Sequence, residues 1–186
     1  MKQLILASSS PRRKELLEDL GYPFITIPSN INEYINLNNS IIDEIEKLSF
    51  NKALSVFNNN KGSIVIGSDT VVVLNNTIYG KPKDYNDAKR MLTEFSNNTH
   101  KVITAVTIMS SAQSETFSSV TEVTFDNITE KEIEKYINEE NVLDKAGAYA
   151  IQGKAKKFIK KINGDYFTVM GLPVNELNKR IKKYYE

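Results

Sequence analysis

The sequence predicts an α/β protein. Short apolar runs, at residues 4–7 and 64–66, have the length and composition of buried strands. Longer segments, at 41–57 and 84–95, carry apolar residues at helical spacing. The two kinds of segment alternate along 186 residues, and no repeat, low-complexity stretch or interdomain linker interrupts them. That length suits one domain, 1–186, with a sizeable core.

The first strand is Leu4, Ile5, Leu6 and Ala7. Ser8, Ser9 and Ser10 break it, and Pro11 suits the first turn of a helix, where no N–H donor is needed. Ser10 is then the N-cap. Leu16, Leu17 and Leu20 give this helix an apolar face, and Gly21 stops it. Its charge is out of place. Arg12, Arg13 and Lys14 crowd a first turn that already carries the positive end of the backbone dipole. A solvated basic helix start is one reading. A phosphate site is the better one, because free N–H groups, serine hydroxyls and two arginines gather at a strand-to-helix turn, where ligands bind in α/β proteins.

A second strand at 24–28 leads to a polar, Asn-rich loop at 29–40 whose only acid is Glu33. The helix 41–57 turns Ile42, Ile45, Leu48, Ala53 and Val56 to one side. Lys52 falls near the middle of that stripe; its ammonium either snorkels to solvent or reaches an anion in a pocket. Next come two strand runs, 64–66 and 71–74, interrupted by Gly67, Ser68, Asp69 and Thr70. An ionised aspartate between such runs is costly unless it is paired or bound to metal. Asp69 is therefore either a surface bend or, better supported, a carboxylate held for metal binding or proton transfer.

Asn75 and Asn76 make a hairpin turn that returns through residues 77–79. Gly80, Lys81 and Pro82 follow: glycine permits close approach to a ligand, and proline stiffens the chain beside the lysine. The helix 84–95 packs through Ala88, Met91, Leu92 and Phe95. Strands at 102–109 and 116–125 form an antiparallel hairpin, and His100, the only histidine, has a structural role. Thr129 and Glu132 form a capping box for a helix at 130–138. Residues 142–153 are irregular and rich in small residues, and include Gln152. A strand at 158–162, a turn at 163–165 and a returning strand at 166–170 precede a last helix, with Val174, Leu177 and Ile181 inward.

Composition narrows the function. With 24 basic and 23 acidic residues the net charge is +1, which argues against a coat for nucleic acid or a polybasic membrane patch. Absent cysteine excludes disulfides, thiol nucleophiles and cysteine metal sites. The first apolar run is too short for a signal peptide, and no stretch suffices to span a bilayer, so a cytoplasmic protein is expected. No Walker A motif and no GxGxxG occurs. Several cations with one strand-bound acid suit a polyphosphate carrying a divalent metal.

In the order SSSPRRKELL, IGSDTVV, GKP, HKVITAV, DKAGAYAIQG and GDYFTVMGLP, the chain resembles the Maf family of nucleoside triphosphate pyrophosphatases, and most closely its dTTP/UTP branch. The resemblance implies a mixed α/β fold with a long twisted sheet, similar to inosine triphosphate pyrophosphatases, with two lobes and a cleft. It implies a homodimer that needs Mg²⁺ or Mn²⁺ and cuts nucleoside triphosphates between the α- and β-phosphates. It assigns Asp69 as the proton acceptor and Arg12, Thr70 and Gln152 to substrate selection. Ser8, Arg13, Lys52 and Lys81 become polar cleft residues, and Asp69 and Glu33 the metal's carboxylates. Gln152 speaks for the pyrimidine branch over the one that prefers 7-methyl-GTP. A role as a binding partner in septum formation is the alternative from another class.

Overall fold

Leu4, Ile5 and Leu6 are fully or almost fully buried and form strand β1 (Leu4–Leu6). Such side chains contribute about 1.5–3 kcal/mol each when buried. The computed structural model describes residues 2–36 and 38–185; Met1, Leu37, in the Asn-rich loop, and Glu186 lie outside the described residues. Helix α1 (Pro11–Glu18), strand β2 (Phe24–Thr26), helix α2 (Ile41–Phe57), strand β3 (Ile64–Leu74) and strand β4 (Thr77–Tyr79) follow β1. Then come α3 (Tyr85–Phe95), β5 (Thr99–Met109), β6 (Ser114–Phe125), α4 (Glu130–Glu139), β7 (Ile159–Asn163), α5 (Tyr166–Met170) and α6 (Val174–Ile181). Single 3₁₀ turns lie at Ala146–Ala148, Lys154–Phe158 and Lys182–Tyr184.

The sheet is mixed, as expected. Among the described residues its seven strands run β2-β1-β3-β5-β6-β7, with β4 paired to β3. β1 is parallel to both β2 and β3, while β4 is antiparallel to β3 and β7 to β6. The hydroxyl pairs Thr107–Thr116 and Thr99–Thr124 mark β5 and β6 as the expected antiparallel hairpin, since one number falls as the other rises. At the β3–β4 turn, Asn75 and Asn76 have φ of 49° and 62°, the two left-handed residues that a type I′ turn requires.

The chain divides into two compact units. One is Met1–Thr70, Thr104–Ser119 and Gly171–Glu186; the other is Val71–Ile103 and Val120–Met170. The first has a core of Ile5, Ala7, Ala53, Val56, Val65 and Met109, in which α2 lies on β1 and β3. Gly67 sets that contact: a Cβ there would stand 2.3 Å from the Ser49 carbonyl oxygen and 2.7 Å from the Ala53 nitrogen. In the second unit, Phe95, Phe125, Tyr136, Tyr149 and Phe158 pack together. His100 is wholly buried among them, its ring centroid 4.5 Å from that of Phe95 and 4.9 Å from that of Phe125. Its Nε2 lies 2.8 Å from the Tyr149 hydroxyl, which gives it the structural role expected. The Thr129–Glu132 capping box is present at α4.

The structure corrects several local readings. β3 is one strand, not two runs with a break at 67–70. Residues 166–170 are the helix α5, not a strand. The Asp165 carboxylate accepts from both the Thr168 backbone N–H and its hydroxyl, each at 3.0 Å, which satisfies a helix start in place of a ladder. Ile42 is exposed rather than inward, and α1 ends at Glu18, before Leu20.

Candidate active site

The β1–α1 turn is built as the sequence predicts. Pro11 opens the helix, and Ser10 is its N-cap, its Oγ accepting from the Arg13 N–H at 3.5 Å. Ser8 is buried, and its Oγ accepts from the Ser10 N–H at 3.1 Å. The turn aims Arg13 at fixed acceptors. Its Nε donates to the Gly171 carbonyl at 2.8 Å, its Nη2 to Thr70 Oγ1 at 2.9 Å, and its Nη1 reaches Ser8 Oγ at 3.5 Å. A guanidinium has five N–H donors, so Arg13 keeps donors for an anion. Burial pulls its pKa below the ordinary arginine value; Asp69 opposes that, Arg12 adds to it, and Glu33 opposes it. Arg12 is half-buried on the same turn.

The neighbouring part of the first unit carries the acid. Asp69 is buried within β3, and Lys52 is buried on α2. Lys52 neither snorkels nor stands free. Its ammonium donates to Asp69 Oδ1 and pairs with Glu33 Oε1 at 2.7 Å. The lysine on the apolar stripe thus answers the acid in the strand. Helix and strand are tied beside the pair by Ser49, whose hydroxyl donates to the Gly67 carbonyl at 3.2 Å and lies 2.9 Å from Thr107 Oγ1. The Asn-rich loop that carries Glu33 is also held. Buried Glu44 accepts from the Asn36 N–H at 3.0 Å and the Asn39 side-chain amide at 2.7 Å. These bonds, that of Asn36 first, keep the Glu44 carboxyl below its ordinary pKa. Among the described residues no group of three or more His, Cys, Asp or Glu stands together as a metal cage. Asp69 and Glu33 are brought to one point, the Lys52 ammonium, by their shared pairing.

Two further residues were not singled out by the sequence. Gly171 has φ +103° and is buried; its carbonyl accepts from Arg13 and, at 3.0 Å, from the Ser68 hydroxyl. Thr104, with no exposed surface, lies 3.0 Å from Thr70 by their hydroxyl oxygens. A glycine before Leu-Pro marks only a turn, and a threonine in an apolar strand is ordinary, so neither gave a signal. The first unit therefore brings together Ser8, Arg13, Glu33, Lys52, Asp69 and Thr70. Lys81 and Gln152 belong to the second unit, where both are exposed. Lys81 follows Gly80, whose carbonyl accepts from the Gly147 N–H at 3.0 Å. Gln152 lies in the turn ahead of the 3₁₀ segment Lys154–Phe158.

The chain is similar over nearly its whole length to curated proteins from Bacillus. A dTTP/UTP pyrophosphatase of Bacillus cereus strain G9842 is 45% identical over 184 residues, covering 99% of this chain and 96% of the relative. One of Bacillus cereus strain ATCC 10987 is 46% identical over 99% of this chain and 91% of its own length. A third, of Bacillus cytotoxicus, is 46% identical over 99% and 96%. The family model described as Maf-like protein matches residues 3–184. A match of that extent, on a mixed α/β chain with these residues at the β1–α1 turn and on β3, means that the chain belongs to the Maf family.

Proposed function

We propose that the chain is a nucleoside triphosphate pyrophosphatase that hydrolyses dTTP and UTP to the monophosphate and pyrophosphate. The observation that carries this reading is the meeting of Arg13, Lys52 and Asp69 in one unit, cations for phosphate beside an acid for water. Relatives 45–46% identical over 99% of the chain bear the name dTTP/UTP pyrophosphatase, which supports the choice of substrate.

In this reading the free donors of Arg13 bind phosphate oxygens, with Ser8 beside them. Lys52 and Lys81 offset negative charge on the departing pyrophosphate. Asp69 Oδ orients the attacking water and takes its proton. Gln152 meets the base through an amide that both donates and accepts, with Arg12 and Thr70 assigned to the same selection. Asp69 and Glu33 fit a hard divalent cation, because Mg²⁺ is held through one or two carboxylates, with phosphates and waters filling the rest. When bound, Mg²⁺ or Mn²⁺ supplies electrophilic stabilisation of the phosphate charge. The whole chain, 1–186, acts as one Maf-like domain, a cytoplasmic homodimer without a nucleic-acid partner. Among the described residues no helix is long and apolar enough to cross a membrane.

The test is pyrophosphate release from a panel of dTTP, UTP, CTP, ATP, GTP and 7-methyl-GTP with Mg²⁺ or Mn²⁺. Rapid release from dTTP and UTP alone is expected. A preference for 7-methyl-GTP would move the chain to another branch, and no release from any of them would leave a binding role.

A further inference from the structure

We infer that Gly171 and Thr104 are positioning residues that fix the Arg13 guanidinium, and that Thr70 acts on the substrate through Arg13. This deepens the pyrophosphatase reading and rests on Arg13 binding phosphate.

An arginine is useful to a triphosphate only if its planar fork is held in one orientation, since a free side chain loses rotamer entropy on binding. Arg13 is held at two of its nitrogens. Gly171 fixes the Nε edge through its carbonyl at 2.8 Å, and Thr70 fixes Nη2 at 2.9 Å. Each acceptor is itself fixed. Ser68, with no exposed surface, donates to the Gly171 carbonyl at 3.0 Å, and Thr104, equally buried, pairs with Thr70 at 3.0 Å. Buried as they are, Ser68 and Thr104 act through the groups they hold.

Gly171 has a second task. Its φ of +103° disfavours any other residue, and a Cβ there would stand 3.3 Å from both Arg13 Nε and Thr70 Oγ1. An added methyl would press on the Nε that donates to Gly171 and on the Oγ1 that accepts from Arg13 Nη2. The Thr70 hydroxyl accepts from Arg13 and pairs with Thr104, so a change at Thr70 reaches the substrate through the guanidinium.

Thr104→Val, close in shape and lacking the hydroxyl, is the clean probe, because Gly171→Ala carries backbone strain that folding alone could register. Steady-state kinetics with dTTP should show KM raised about tenfold in Thr104→Val, with kcat changed less than about threefold, the pattern of lost binding rather than lost chemistry. Thr104→Ser should restore KM. In an Arg13→Ala background, Thr104→Val should add less than about twofold, because the two act as one unit. A wild-type KM in folded Thr104→Val, alongside a raised KM in Arg13→Ala, overturns the positioning role and leaves the pyrophosphatase reading standing. A wild-type KM in Arg13→Ala removes the phosphate role of Arg13, and this inference with it.

Discussion

Lys52 and Asp69 form a buried ion pair, the side chain of one 6% exposed and of the other 10%. Lys52 is out of place on the apolar stripe of α2 and Asp69 is out of place within β3, and the two misfits are partners. A buried pair of this kind adds little net stability, but removing one member leaves a stranded charge at a cost of about 3–5 kcal/mol. Its presence in a core that apolar residues could fill points to use rather than support.

Asp69→Asn keeps the shape and removes the base. Lys52 retains Glu33 as a partner, so the variant folds. Turnover of dTTP should fall by about 10²-fold or more, the range for a lost general base. Circular dichroism and urea unfolding verify the fold, and unchanged turnover in a folded variant would remove Asp69 from the chemistry.

Arg13→Ala should weaken triphosphate binding while leaving the fold in place. The acceptors that Arg13 vacates keep other partners: the Gly171 carbonyl retains Ser68, and Thr70 retains Thr104. Removing one of the crowded cations also relieves repulsion at the α1 N-terminus, so melting without nucleotide should hold or rise. Calorimetric titration with a non-hydrolysable dTTP analogue should show affinity lower by about tenfold or more, as for a charge-assisted hydrogen-bond pair. Equal affinities would return Arg13 to a merely structural contact.

Gln152→Leu addresses base choice. Gln152 is exposed, so its loss should leave stability unchanged. Activity on dTTP and UTP should drop more than activity on any slow substrate, because a site built to pair an amide discriminates strongly against the wrong edge. A uniform drop across the nucleotide panel would contradict the assignment.

His100 makes stability depend on pH. Burial pushes its pKa down to about 3 from 6.5, so the folded protein keeps the ring neutral where the unfolded chain protonates it. Its contribution is fully present above pH 6.5 and is lost as pH falls toward 3. Between pH 7 and pH 5 this one group should remove about 2 kcal/mol. Urea unfolding at both pH values, in the wild type and in His100→Phe with Tyr149→Phe, isolates it. An identical pH dependence in both proteins would contradict the assignment.

The elements, and most of the residues that meet in the candidate site, were legible because their signals are local. A proline after three serines, cations in a helix's first turn and an Asn-Asn turn each depend on a few neighbours in the chain. The errors came from one local cap that was passed over and from distant contacts that outweighed the local pattern. Residues 166–170 carry aromatic and β-branched side chains that favour strand, yet the Asp165 carboxylate bonding Thr168 starts a helix. Asp followed three residues later by Thr could have been read as that signal. The supposed break at 67–70 is a strand whose residues each answer something remote: Gly67 the backbone of α2, Ser68 and Thr70 the surroundings of Arg13, and Asp69 the ammonium of Lys52. Gly171 and Thr104 act through other residues, and no spacing rule marks that.

Gly67 holds a helix backbone against a strand one residue away from Ser68 and two from Asp69. The reach between ammonium and carboxylate is therefore gauged by a side chain that is missing. In a saturation library this separates two classes of inactive variant. Substitutions of Asp69 or Gln152 remain in the soluble fraction as folded, silent protein, whereas substitutions of Gly67 disappear from it, because even one methyl group has no room between the helix and the strand.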